Sequence, residues 1–240
     1  MKIKNWEAIL WDCLEEMKNI PDGSIDCIIT DPPYWSTACR WDHVIPFDKM
    51  WEQLKRIIKP NGAIVLFWSE PFSSALRMSN IKQYKYDWIW DKKKGGNPLL
   101  SKKQPIKVTE NILIFNSKIY IPQMNERDKP KSRGSNKWIK SETTGNAFTE
   151  NKVYTQKYPK NIIEISNADQ RWRLHPTQKP VALIEYLIKT YTQEWETVLD
   201  FTAWSFTTAV ACENTNRKWI CIEKDEKYFN IWIDRVWIKK

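Results

Sequence analysis

The sequence predicts an α/β protein built on a mostly parallel sheet with helices on both faces. Two observations carry this. Short, wholly apolar runs recur near both ends of the chain, and most are separated by stretches with helical periodicity. Apolar runs without polar alternation suit strands covered on both faces, and their alternation with helices argues for parallel crossovers.

Taken in order, Ala8–Leu10 reads as a short strand and Leu14–Ile20 as a helix closed by Pro21-Asp22-Gly23. Asp26–Thr30 is a strand that runs into Asp31-Pro32-Pro33-Tyr34. Phe47–Lys59 is a helix with Met50, Trp51, Leu54, Ile57 and Ile58 on one face. Pro60-Asn61-Gly62 stops it, and Ala63–Phe67 is a buried-type strand. A helix at Phe72–Asn80 and strands at Tyr86–Trp90 and Glu110–Phe115 follow. The C-terminal part reads helix Val181–Tyr191, strand Thr197–Asp200, helix Phe206–Asn214, strand Trp219–Ile222 and a last helix from Asp225. The sheet therefore has seven predicted strands. Ligands of such sheets bind beyond the carboxyl ends of the strands. That directs attention to Asp12, Asp31, Asp200 and Glu223.

Residues 118–173 interrupt the alternation. They are polar, with little strand or helix periodicity, and too long for an ordinary loop. We read them as an insert, leaving 1–117 and 174–240 as the main domain. Charge sets the middle of the chain apart as well. Of the net +9, Asp91 to Arg173 carries 18 Lys/Arg against 8 Asp/Glu, and the rest is close to balanced. A concentration of that kind fits a polyanion partner or a solvated lysine-rich surface. The five cysteines, Cys13, Cys27, Cys39, Cys212 and Cys221, are odd in number and form no CxxC pair. We expect no disulfide framework and no metal, but reduced thiols and a cytoplasmic setting. No apolar run approaches a membrane span.

Four motifs carry chemistry. Asp31-Pro32-Pro33-Tyr34 follows directly on a strand. Thr197 to Thr208 reads strand, tight loop, helix, and Glu223 ends the next strand about 20 residues on. His175-Pro176-Thr177-Gln178-Lys179-Pro180 precedes a helix, and Ala8–Cys13 is a strand that runs into Asp12. In this order, with the basic segment between the halves, the chain resembles the beta subclass of DNA amino-methyltransferases of the DPPY type. The resemblance implies a Rossmann-like methyltransferase fold that uses S-adenosylmethionine (AdoMet) and acts on double-stranded DNA.

The resemblance also assigns roles. Asp31, Pro32, Pro33 and Tyr34 form the catalytic loop. An exocyclic amine is a weak nucleophile because its lone pair is delocalised into the ring. A carboxylate and a backbone carbonyl can each accept one of its N–H bonds and favour a pyramidal nitrogen. Two prolines fix the loop, and Tyr34 stacks on a flipped base. Asp12, Thr177, Lys179, Asp200, Phe201, Thr202, Ala203, Trp204, Ser205 and Glu223 are the expected AdoMet-binding residues. The loop ahead of Phe206 presents a helix N-terminus to the donor's carboxylate, and Glu223 accepts from ribose hydroxyls. His175 is given no catalytic role. Within the insert, Arg127, Lys129, Lys131, Arg133, Lys137 and Lys140 are expected to contact DNA. DPPY points to adenine N6 by family convention. Cytosine N4, RNA or a protein amide as target, a non-catalytic nucleic-acid-binding role, and a homodimer remain open at this level.

The composition departs from the family. There are 15 tryptophans and only 6 glycines, where average usage of about 7% glycine predicts roughly 17. Trp11, Trp35, Trp68, Trp172, Trp195, Trp204, Trp232 and Trp237 fall where small or turn residues read more naturally. UGA is translated as tryptophan in some genetic codes and as glycine in others, so these positions are either glycines of the source or a tryptophan-rich variation. Phe206 is a separate departure, at a position where many family members have glycine.

Overall fold

A computed structural model describes residues 2–3, 6–33, 45–95, 98–133, 138–141, 145–148, 152–167 and 178–232. In chain order the elements are β1 (Lys2–Ile3), β2 (Trp6–Leu10), α1 (Cys13–Met17), β3 (Ile25–Thr30), α2 (Phe47–Ile57), β4 (Ile58–Trp68), α3 (Phe72–Ser79), β5 (Tyr84–Asp91) and β6 (Thr109–Phe115). There follow β7 (Asn125–Arg133), β8 (Trp138–Ser141), β9 (Gly145–Phe148), β10 (Lys152–Lys157) and β11 (Ile162–Glu164). The chain ends with α4 (Val181–Tyr191), β12 (Thr197–Asp200), α5 (Thr207–Asn214), β13 (Lys218–Glu223) and α6 (Glu226–Trp232). Two compact units emerge: Met1–Ile121 with Asn161–Lys240, and Pro122–Lys160.

The first unit is a nine-stranded sheet ordered β1-β2-β13-β12-β3-β4-β6-β5-β11. From β2 to β4 all neighbours are parallel, β6 runs against β4 and β5, and β1 runs against β2. The mixed α/β class with a mainly parallel sheet is thus as the sequence predicts. All seven predicted strands are present. The two extra ones are edge strands: β1 has 2 residues, and β11 has 3 and pairs in parallel with β5. Runs that short carry no legible period.

Side-chain alternation builds a core on each face of the sheet. Cys27, Ile29, Ala63, Val65 and Phe67 pack with Leu183, Leu187 and Ile188 of α4 and Ala209 of α5. Ile28, Ile64, Leu66 and Trp68 pack on the other side with Met50, Leu54 and Ile57 of α2 and Leu76 of α3. Adjacent strands therefore read as continuous apolar runs because both faces are buried. Pro60-Asn61-Gly62 does not separate α2 from the next strand: β4 starts at Ile58 and pairs with Ile25 before a register shift. Cys27, Cys212 and Cys221 are buried free thiols. Among the described residues no helix is long and apolar enough to cross a membrane.

The second unit holds two antiparallel pairs, β7 with β10 and β8 with β9. The sequence predicts little strand here. The described side chains of β7 and β10 are nearly all exposed, and backbone pairing without a buried face needs no apolar alternation, so the usual signal is missing there.

Candidate active site

The chain crosses from β12 to β13 through α5, which packs on one face, and from β3 to β4 through α2, which packs on the other. Departure in opposite directions from two adjacent parallel strands opens a crevice beyond their carboxyl ends. β2, β13, β12 and β3 are consecutive neighbours, so Asp12, Glu223, Asp200 and Asp31 line one edge of the sheet. These are the four acids singled out in the sequence.

Asp31 sits on the first residue after β3, with Pro32 buried beside it. Lys179, just ahead of α4, places its ammonium 2.6 Å from Asp31 Oδ2 and 2.9 Å from Glu110 Oε1. The ammonium also lies 5.2 Å from the ring centre of Phe67 and 5.9 Å from that of Trp90. Burial pushes the Asp31 carboxyl up, Lys179 pulls it down and Glu110 pushes it up again, to about 7. The other oxygen, Asp31 Oδ1, is buried and accepts no hydrogen bond from any described residue. A buried carboxylate oxygen is costly to leave unmatched, so this atom is an acceptor waiting for a donor.

Behind Asp31 lies a polar network. Asp200 Oδ1 accepts from Thr30 Oγ1 at 2.8 Å and from the Thr202 N–H at 3.2 Å, and Oδ2 accepts from Thr208 Oγ1 at 2.6 Å. Burial raises the Asp200 carboxyl to about 6 against the pull of these donors. The network ties the end of β12 to the first turn of α5 and to β3. Asp31, Lys179, Asp200, Ala203 and Ser205 surround a small pocket of about 30 Å³.

A second cavity, of about 620 Å³, lies on the other side of the loop after β12. Asp12, Phe201 and Glu223 line it, with Pro33 at its rim. Its volume is in the range of nucleotide-sized ligand sites. Glu223 accepts from three backbone N–H groups, of Trp204, Lys224 and Asp225, at 2.7, 2.9 and 2.9 Å. A carboxylate offers about four acceptor positions, which leaves one for a ligand. Asp12 caps α1 through the Leu14 N–H at 3.0 Å and pairs with Lys224 at 3.1 Å. Burial pushes the Asp12 carboxyl up, but Lys224 and the Leu14 N–H outweigh it and hold it low. Acids facing an apolar wall in a cavity of this size fit a nucleoside with hydroxyl and amino donors.

Thr202 and Trp204 line both cavities. The Trp204 indole donates to the Asp31 carbonyl at 2.8 Å. Its backbone is left-handed, with φ 48°, and Phe206 two residues on has φ 55°.

Sequence reasoning missed Glu110, Thr30 and Thr208. Their partners are remote in sequence, and no spacing signals them. Tyr34, His175, Thr177 and Lys137 lie outside the described residues. In the second unit, Lys129 and Lys131 are exposed, and Arg127 donates to the Gln156 carbonyl at 2.9 Å. Arg133 and Lys140 sit on β7 and β8.

Residues 25–234 match a protein-family model described as DNA methylase. The chain is 28% identical over 252 residues to the type II methyltransferase M.HpaI of Haemophilus parainfluenzae, covering 94% of this chain and 72% of that protein. It is 26% identical to the DNA adenine methyltransferase YhdJ of Escherichia coli, covering 94% and 80%. Among solved structures, M1.HpyAVI in complex with SAM superposes with a TM-score of 0.63 at 25% identity, covering 96% of this chain and 98% of that one. The cytosine-N4-specific PvuII DNA methyltransferase shares the fold at a TM-score of 0.70 and 18% identity, covering 98% and 87%.

Proposed function

The chain belongs to the DNA methylase family of N6 and N4 amino-methyltransferases, and on that premise we propose that it transfers a methyl group from AdoMet to the N6 amine of an adenine flipped out of duplex DNA. One observation carries the reading. Asp31 has one oxygen held by Lys179 and the other buried without a hydrogen-bond donor among the described residues, and the carbonyl of the next residue, Pro32, would be the second acceptor. An amine with two N–H bonds matches that acceptor pair.

AdoMet supplies an electrophilic methyl on a positive sulfonium. The chain's own residues do the rest by position and electrostatics. Glu223 and Asp12 would hold the nucleoside in the larger cavity. Asp31 Oδ1 accepts one amine N–H and the Pro32 carbonyl the other, which localises the nitrogen lone pair. Nitrogen gains a methyl, the carbon–sulfur bond electrons stay on sulfur, and the amine sheds one proton. Asp31, with an affinity for protons near neutrality, is suited to receive it. Lys179 fixes the orientation of that carboxylate, and Glu110 fixes Lys179. The exposed lysines of β7 would engage DNA phosphates, which makes the inserted segment the target-recognition region.

The test is transfer of labelled methyl from AdoMet to unmethylated duplex DNA, followed by digestion to nucleosides. The expected product is N6-methyladenine, lost with Asp31→Ala. N4-methylcytosine as the sole product would overturn the choice of base, and transfer to RNA alone would overturn the DNA substrate.

A further inference from the structure

We infer that Trp204, Trp195 and Trp11 occupy positions built for glycine, encoded by UGA, and that the indole at 204 is a partition the functional site does not contain.

Tryptophan settings differ along the chain, and Trp204 itself is half-buried, with its indole N–H donating to the Asp31 carbonyl at 2.8 Å. Trp51, Trp88, Trp90 and Trp219 are all at most 4% exposed. Each donates its indole N–H: to Ser79 Oγ, Tyr191 OH, the Ile165 carbonyl and Glu213 Oε1, at 2.6 to 2.9 Å. This is how a folded protein uses tryptophan. Trp11 and Trp195, by contrast, are 61% and 62% exposed. Trp195 and Trp204 have φ of 69° and 48°. That region is strained for a residue with a Cβ and is the ordinary territory of glycine. Asn116 and Asn216, also left-handed here, belong to the residue type that tolerates it, and Lys93 and Phe206 share the region. The glycine deficit and the tryptophan surplus of the composition meet at these positions. Trp68 is fully buried, and neither it nor Trp11 has a positive φ, so the assignment rests on composition at 68 and on composition and exposure at 11.

Position 204 has a functional consequence. Residue 204 lines both the cavity at Glu223 and the pocket at Asp31, and its indole reaches the Asp31 carbonyl. A ligand seated at Glu223 must extend past position 204 to bring a methyl group to Asp31. With glycine there, the backbone N–H that Glu223 accepts is kept, while the indole goes, together with its hydrogen bond to the Asp31 carbonyl and its contact with the Tyr228 ring. This part of the inference rests on the proposed methyl transfer. The codon assignment does not.

The gene decides the assignment: UGA is expected at codons 11, 195 and 204, and UGG at 51, 88, 90 and 219. UGG at 195 and 204 overturns it. The partition is tested by calorimetric titration of AdoMet into the chain with Trp204 and into Trp204→Gly. Binding at least about tenfold tighter in the glycine form is expected, and equal affinity overturns the partition. Thermal unfolding gives a control independent of AdoMet. Trp195→Gly is expected to hold or raise the Tm, by about 2 °C, whereas Trp51→Gly lowers it; a loss at 195 as large as at 51 counts against the glycine assignment. If Trp204→Gly binds AdoMet but methylates no nucleic acid, the proposed function fails while the codon assignment, read from the gene, stands.

Discussion

At Asp31 three effects compete, and two neighbours make the balance adjustable. Burial and Glu110 raise the carboxyl while Lys179 lowers it, to about 7. Since the ionised form is the acceptor the reaction needs, methyl transfer should rise with pH through about 7. Replacing Lys179 with Met removes the group that lowers the carboxyl, so the midpoint of the pH–rate profile should move up and the rate at pH 7 should fall. Glu110→Gln removes a charge that raises it, and the midpoint should move down. Opposite displacements by two substitutions on one ammonium would be hard to obtain from general damage. Coincident profiles would remove Lys179 and Glu110 from the site's electrostatics. The effect on folding follows the same sign. A carboxyl raised in the folded state contributes stability below its unfolded value of 3.8 that is lost as the pH rises through about 7.

Elements meet the site through their ends, and those ends are tied by single side chains. Glu223 gathers the N–H groups of Trp204, Lys224 and Asp225, so it holds the loop after β12 against the end of β13. Glu223→Ala should lower AdoMet affinity and also cost about 1–3 kcal/mol of stability, because three part-buried N–H groups lose their acceptor. Arg56 of α2 does comparable work far from the chemistry. It donates to the Met17 and Ile20 carbonyls at 2.6 and 2.8 Å, closing the C-terminus of α1. Arg56→Ala should cost about 1–2 kcal/mol in urea unfolding and leave the pH profile of transfer unchanged. Such ties were not legible in the sequence. Asp31, Asp200 and Glu223 were, because each follows an apolar strand. Glu110 lies within β6 opposite Trp90 of β5, and only the tertiary fold brings it to Lys179. α4 was legible to the residue, since its apolar face repeats at helical spacing and Pro180 starts it.

Across the whole chain, charge and fold divide the work. The excess positive charge sits in the middle segment, and its exposed Lys129 and Lys131 lie on β7. Replacing both with Glu should weaken binding to duplex DNA irrespective of sequence. The slope of log affinity against log salt should fall by about one for each phosphate no longer neutralised. An unchanged slope would take these two lysines out of the DNA interface. By itself the sequence determined the α/β class, the seven central strands and the acids at their ends, because apolar periodicity and local turn chemistry are written in neighbouring residues. Tertiary structure alone decided the strand order, the edge strands β1 and β11, the Lys179 bridge between Asp31 and Glu110, and the indole of Trp204 at the Asp31 carbonyl. These depend on groups far apart in the chain being brought within a few ångströms, and such proximity leaves no periodic trace in the sequence.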